Sequence, residues 1–425
     1  MALVSFDEAL RCTLAAARAR QCPAERVRLA RALGRVLRAP VCAERDLPPC
    51  SNAAMDGYAV RSAELRAASG ANAGAEGGGA AAVFALAAEL RAGEPAQPLL
   101  PGHAAPVATG APLPPQADQV VELESSRLLG GGRVELRARA APGRHVRLRG
   151  EDARAGQTVL AAGTVLGPAE LALAAACGAW ELEVAVRARA GVLTSGAEVV
   201  PPWACPGPTQ VRDADGPALA AALAECGAVP VPLGHAPDEP AEIAAALAAG
   251  LAQGCTVLVS AGGASVGARD AVPAAAARLG FRPLYRGVAM RPGHPVALFA
   301  RGPALLFALP GNPVAALVAF WVLVRPALRA LAGAARPAGT WIPVCLPERI
   351  VERPGRVHFL RARLVPAPPG EPGGGLRVAE LLPAGSGRLV PLVHADALLR
   401  VQGELAAGTA VPALLLREPG APAGA

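Results

Sequence analysis

Apolar positions near the start of the chain recur at helical spacing: Phe6, Ala9, Leu10 and Leu14, then Val27, Leu29, Leu33, Val36 and Leu37. The pattern predicts helix within residues 6–38, ended by Pro40 and Pro48-Pro49. Residues 66–82, with Gly77-Gly78-Gly79, read as a loose loop. Short strand-like runs punctuated by Gly and Pro fill about 83–148, the pattern of a small β-rich module. Gly167-Pro168 then opens a helix that Cys177-Gly178 closes.

From about residue 187 strands and helices alternate. Strands are predicted at Ala188–Thr194, Ala228–Leu233, Cys255–Ser260 and Ala304–Leu309, with helices at Pro217–Glu225, Ala241–Ala252 and Pro313–Leu331. That alternation argues for a doubly wound, mostly parallel sheet, in which ligands bind beyond the strand C-termini. Loops 195–198, 261–270 and 310–313 all leave strands at that edge. Gly302–Val324 lacks charge and could span a bilayer by length, but Leu309-Pro310-Gly311-Asn312-Pro313 interrupts it, which favours a buried strand, turn and helix and no membrane. From about 335 the pattern turns β-like again, with Pro/Gly loops around 366–375. The fold class is therefore multidomain α/β, with N-terminal helical and β modules, a central sheet and a C-terminal β module.

Composition narrows the function. A chain of 425 residues suggests two to four domains. Its 41 basic side chains are all arginine and face 34 acids, a mild net charge of +7. Aromatics are only 3%, which argues against a nucleic-acid surface. The dense basic stretch Arg144–Arg154 also carries Glu151 and Asp152 and reads as a local anion site. Nine cysteines, at 12, 22, 42, 50, 177, 205, 226, 255 and 345, form no paired metal spacing and read mostly as buried hydrophobes in a reducing compartment. With no secretory pattern at residues 1–11, a cytoplasmic location is expected.

Several loops could carry chemistry. Ser260-Ala-Gly-Gly-Ala-Ser-Val-Gly-Ala-Arg-Asp270 joins strand to helix, so Gly262, Gly263 and Ser265 could cradle phosphate, or simply turn the chain. Leu309-Pro310-Gly311-Asn312-Pro313 lies at the same edge, where Asn312 suffices as a helix cap. Glu198, Asp238 and Asp270 follow strand ends and could hold Mg²⁺; capping explains Asp238 equally well. Arg291-Pro-Gly-His294-Pro295 fixes two cation-capable side chains. Asn52-Ala-Ala-Met-Asp56-Gly-Tyr58, Thr109-Gly-Ala-Pro-Leu-Pro114 and Arg149-Gly-Glu-Asp152 are polar turns that composition alone gives no reaction.

Taken in order along the chain, these segments resemble the molybdopterin molybdenumtransferase family, which includes the gephyrin E domain. The resemblance implies an enzyme that inserts molybdate into adenylylated molybdopterin with Mg²⁺ and release of AMP, receiving its substrate from an upstream molybdopterin adenylyltransferase. It implies an N-terminal domain split between 1–42 and 149–182, an inserted β-rich domain at 43–148, a central molybdopterin-binding α/β domain at 183–333 and a C-terminal β domain at 334–425. It assigns catalytic roles to Asp56, Thr109, Asp152, Glu198 and Asp270. Substrate binding falls to Gly262, Gly263, Ser265, Arg291, His294, Pro310, Asn312, Arg361 and Ser386, and metal binding to Glu198, Asp238 and Asp270. It also implies a homodimer whose site mixes Asp56 and Thr109 of one protomer with the glycine loop of its partner. The chain departs from the family at Ala197, where an acid is usual, at Asp215 in Asp213-Ala-Asp215, at His294, where lysine is common, and at Ala271, where an aromatic is common. Alternatives are a molybdopterin adenylyltransferase, which the module around Asn52–Val60 disfavours, and a non-catalytic scaffold, which the retained Asp56, Glu198 and Asp270 disfavour.

Overall fold

The computed structural model describes residues 3–68, 81–263, 271–367 and 375–419. The chain forms two compact units: Met1–Ala39, Ala162–Gly167 and Leu182–Ala425 make one, Pro40–Ala161 and Pro168–Glu181 the other.

The larger unit begins with helix α1, Phe6–Arg18. Ser5 caps it by accepting the Glu8 N–H at 3.2 Å, and Asp7 and Glu8 complement the positive end of the helix. The periodicity after residue 18 is not helical: Ala24–Arg28 is a strand and Leu29–Arg31 a single 3₁₀ turn. Pro23 explains the break, because it has no N–H to return to the preceding turn and its ring obstructs that turn.

The central sheet is built from β1 (Arg189–Ser195), β2 (Val229–Ala236), β3 (Val257–Ala261), β4 (Arg282–Arg286), β6 (Ala297–Arg301) and β7 (Ala304–Leu309), while β5 (Val288–Arg291) belongs to another sheet. The order is β2-β1-β3-β7-β6-β4. The first four strands run parallel and the last two pairings are antiparallel. Alternate side chains of each central strand face opposite layers, as the pleat requires. Val257, Val259, Leu305 and Phe307 pack with Leu219 and Leu223 of helix α2 (Asp215–Glu225) and with the helix Pro313–Leu331. Leu258, Leu306 and Ala308 pack with Ile243 and Leu247 of helix α3 (Pro240–Ala252) and Val272 and Ala275 of helix α4 (Ala271–Arg278). The sheet is thus covered on both faces, the doubly wound arrangement. Pro313–Leu331 is long and apolar enough to cross a membrane, yet most of it is buried in the core.

Five later strands form a closed ring: β8 (Val357–Pro366), Leu376–Leu381, Trp341–Cys345, Ala410–Leu415 and β9 (Ala397–Val401), which pairs back onto β8. Val344, Leu364, Val378, Leu399 and Ala413 fill it. Strand β5 adds to β8 in parallel and sets Arg291 opposite His358.

The smaller unit carries a six-stranded sheet in the order Gln119–Glu122, Gly57–Val60, His103–Val107, Ala81–Leu86, Arg133–Arg137, Ser126–Leu128. Its arginine-rich stretch is not an open anion site. Arg147 pairs with Glu151 and Asp152 at 2.9 and 2.8 Å, Arg149 with Asp46 at 2.6 Å, and Arg144 with Glu122 at 3.1 Å. None of the nine cysteines, all among the described residues, is in a disulfide; four are buried, three half-buried, and Cys42 and Cys205 exposed, so burial accounts for fewer of them than the sequence suggests. Most of the loop expected at 66–82 lies outside the described residues, between a helix at Ser62–Ala68 and a strand at Ala81–Leu86.

Helix α1 is tied to the central sheet by a buried hydrogen bond of 2.9 Å between the Thr13 and Tyr285 hydroxyls. Burial pushes the Tyr285 phenol well above its ordinary range, so it stays neutral. Thr13→Val strands a buried hydroxyl and should cost about 1–3 kcal/mol in urea unfolding; adding Tyr285→Phe should recover much of that. A double variant no more stable than Thr13→Val contradicts this account.

Candidate functional site

The strand order reverses between β1 and β3, the position where open α/β sheets form a ligand crevice. The backbones there are crowded. Gly262, with φ at +93°, lies so close to Ser195 that a Cβ on it would stand 2.1 Å from the Ser195 carbonyl oxygen. A Cβ on Gly311 would stand 3.1 Å from Gly262 Cα, and the Gly262 N–H donates to the Leu309 carbonyl at 3.3 Å. The ends of β1, β3 and β7 therefore converge, as their loops suggested. Ser195 Oγ is buried without a hydrogen-bond partner among the described residues. Ser265 and Asp270 lie outside the described residues, so the structure says nothing of their placement.

Two expected acids border this crevice. Asp238 is exposed beside the Gly263 turn, where a Cβ would lie 3.6 Å from its Oδ1. It does not cap α3: Glu239 occupies the cap position, and its side chain makes no capping bond. Glu198 is exposed and folds back toward Gly196. Among the described residues no three metal-ligating side chains cluster. Nearby, Asp213 accepts from the Thr194 hydroxyl and the Gly216 N–H, both at 2.9 Å. Burial, with a contribution from Asp213, raises the Asp215 carboxyl to about 7.

Beside the crevice lies a cavity of about 480 Å³. Arg291, His294, Pro310, Asn312, Arg361 and Ser386, all expected as substrate-binding positions, line it together. Asn312 stands at the helix N-cap but its side chain makes no capping bond, so capping does not account for it. Arg361 is buried and donates to the carbonyls of Pro383 and Arg388, the latter at 3.0 Å, fixing the segment that bears Ser386. The Ser386 carbonyl in turn accepts the Val314 N–H at 3.2 Å. Sequence reasoning missed three charged liners: Glu352, Arg356 and His358. The alternation around Val357–Phe359 carries no chemical signature; only the pairing of β5 with β8 brings His358 to Arg291.

The smaller unit assembles its own polar cluster. Asp56 Oδ1 accepts from the Thr109 N–H and hydroxyl at 2.6 and 2.8 Å, and these two bonds hold its carboxyl below the ordinary range. The Gly57 backbone that follows lies against Val121, with room for no side chain: a Cβ would be 2.0 Å from its carbonyl oxygen. Ala53 exchanges backbone hydrogen bonds with Gly110 and Ala111, and the strand Asn52–Ala53 pairs with Val146–Arg147. Asp152 is exposed and held by Arg147. All three polar turns of this unit thus meet.

A glycine-cushioned crevice at a sheet switch point, beside a cavity lined by arginine and histidine, is an α/β arrangement whose chemistry suits anions. Comparison with known proteins specifies the class. Residues 4–178 match the MoeA N-terminal region (domain I and II), 191–330 a probable molybdopterin binding domain, and 343–416 the MoeA C-terminal region (domain IV). The chain is 35% identical over 372 residues to a molybdopterin molybdenumtransferase of Synechococcus elongatus, covering 86% of this chain and 89% of that one. It is 35% identical over 353 residues to molybdopterin molybdenumtransferase 2 of Mycobacterium tuberculosis, covering 81% and 84%. A crystal structure of the molybdopterin biosynthesis moeA protein of Pyrococcus horikoshii OT3 superposes with a TM-score of 0.78 at 25% identity, over 97% of this chain and 100% of that one. The chain belongs to the molybdopterin molybdenumtransferase family.

Asp215 gives this site a pH signature. Its folded-state pKa, about 7, lies above the ordinary carboxylate value, so the folded chain holds a proton that the unfolded chain has released. The stability this adds is complete below about pH 4 and is lost as pH rises toward 7, by up to about 1.4 kcal/mol per pH unit. Asp215→Asn should flatten that slope in urea unfolding between about pH 4 and 7. An unchanged slope would remove Asp215 as its source.

Proposed function

We propose that the chain is a Mg²⁺-dependent molybdopterin molybdenumtransferase that inserts molybdate into adenylylated molybdopterin and releases AMP. The observation that carries this reading is the convergence of Arg291, His294, Pro310, Asn312, Arg361 and Ser386 on one cavity beside the glycine crevice. Molybdate is a tetrahedral dianion. Arg291 offers it a permanent charge and a fork of N–H donors, Ser386 a hydroxyl, and His294 an imidazole N–H. The backbone around Gly262 and Gly263 suits the phosphates of the adenylylated substrate, because no side chain separates them from the main chain.

The donors available suit Mg²⁺. Glu198 and Asp238 are exposed oxygen ligands on loops of one sheet edge, and Mg²⁺ keeps waters and shares phosphate oxygens rather than needing a closed cage. Those two carboxylates, with Asp270, would hold the ion. It would supply positive charge against the phosphates as the adenylate bond breaks. Asp56, oriented by Thr109, and Asp152 complete the catalytic set in this proposal. We further propose a homodimer in the cytoplasm, with the Asp56 cluster of one protomer serving the glycine loop of its partner and an upstream adenylyltransferase supplying the substrate.

Purified protein given adenylylated molybdopterin, molybdate and Mg²⁺ should release AMP and form active cofactor. Arg291→Ala should raise the molybdate concentration for half-maximal rate at least tenfold, the loss of about 1.4 kcal/mol expected from one charge-assisted contact. AMP release that neither Mg²⁺ nor molybdate stimulates would refute the assignment.

Mixing Asp56→Ala with Asp270→Ala protomers should restore activity, because one of the two sites in each heterodimer then lacks neither residue. No recovery in verified heterodimers would refute the shared site.

A further inference from the structure

One wall of the cavity holds a histidine–carboxylate contact to which the proposed reaction gives no role. His358 is 2% exposed, and its Nδ1 lies 2.7 Å from Glu352 Oε2. A proton on Nδ1, facing the carboxylate, fits that contact, and Nε2 of the neutral ring then carries the lone pair. Nε2 is buried and has no hydrogen-bond partner among the described residues. A buried imidazole with one nitrogen anchored on an acid and the other unpaired can accept a proton with little rearrangement.

The surrounding charges decide when it does so. Arg291 stands on β5 in register with His358, and Glu352 and Arg356 come from the turn before β8. On its other side β9 presents Val401, which carries no charge. Burial chiefly, with Arg291 and Arg356, lowers the His358 pKa, while Glu352 and a hydrogen bond to the Arg353 backbone oppose them. The empty cavity therefore keeps this ring neutral at pH 7, since another cation beside two arginines is unfavourable. A tetrahedral dianion in the cavity reverses the sign of the local field and favours the imidazolium.

We propose that His358, anchored by Glu352, is the cavity's proton acceptor: filling the cavity with a tetrahedral dianion draws one proton from solvent onto Nε2. The proton adds to the imidazole, no other bond changes, and the complex gains one positive charge against the bound dianion. Glu352 is a positioning residue that holds the ring and shares the new charge. Because the charge appears only when the cavity fills, it favours a tetrahedral dianion such as molybdate over a tetrahedral monoanion such as perchlorate. This inference rests on the reading of the cavity as the molybdate site.

The test is calorimetric titration of molybdate into the full-length chain at pH 7.5, in buffers of differing ionisation enthalpy. His294→Lys serves as the background, since it removes the other imidazole that lines the cavity. There, binding should take up as much as about one proton, and affinity should fall by up to about tenfold per pH unit where His358 charges only in the complex. His358→Gln in that background should abolish the uptake and narrow the preference for molybdate over perchlorate. Glu352→Gln keeps the ring but should reduce the uptake, which guards against a fold defect in the first variant. Ring ¹⁵N shifts should show His358 neutral in the free protein and charged with molybdate bound. Proton uptake unaffected by His358→Gln, or a ring still neutral in the molybdate complex, overturns the proposal while leaving the cavity as the molybdate site. Molybdate binding insensitive to Arg291→Ala overturns both readings.

Discussion

Everything in the site depends on how closely three strand ends approach one another. At the switch point the Gly262 backbone lies against Ser195 at a separation no side chain could occupy, and Gly311 lies against Gly262 more tightly than side chains usually pack. The hydrogen bond from Gly262 to Leu309 then locks the end of β3 to that of β7. Only glycine permits this, because a Cβ would collide and because φ at Gly262 lies in the region that L side chains avoid. The consequence reaches beyond the crevice. The turn that supplies Gly311 also delivers Pro310 and Asn312 to the wall of the adjoining cavity. One packing constraint thus sets the glycine-lined crevice and the cavity side by side.

Charge is distributed unevenly around this frame. In the smaller unit the arginines are matched locally by acids, and the Asp56 carboxylate is satisfied by Thr109. In the cavity, Arg291, Arg356 and Arg361 face one carboxylate, Glu352, among the described residues. Arg361 spends hydrogen bonds on backbone carbonyls that hold the Ser386 segment, so it is scaffold as well as charge. Positive charge gathered in one half-buried space is poorly compensated by the protein's own groups, which supports the proposed reading of the cavity as an anion site.

Much of this was legible in the chain because glycine and proline punctuate it. The strand at Ala304–Leu309 and the helix from Pro313 fall where the pattern placed them, since Pro310-Gly311 cannot continue either element. Apolar spacing failed beyond Arg18, where Pro23 turns an apparently helical run into a strand. Reading Arg144–Arg154 as an anion site failed because the acids that neutralise it include Asp46 and Glu122, distant in sequence. Within the cavity, Arg291 and His294 stand out through their Pro-Gly turn, whereas Arg361 and Ser386 came from family resemblance alone. His358 and Glu352 were invisible for a physical reason: one sits in an ordinary strand, and only a parallel pairing between β5 and β8 gives it a role.

The account's central claim is that this cavity receives the tetrahedral oxyanion. Diffraction from crystals soaked in molybdate, collected at the molybdenum absorption edge, tests it most directly. The account predicts an anomalous peak inside the cavity, within hydrogen-bonding reach of Arg291 and Ser386. Ordered molybdenum elsewhere on the protein, with this cavity empty at saturating molybdate, would contradict it.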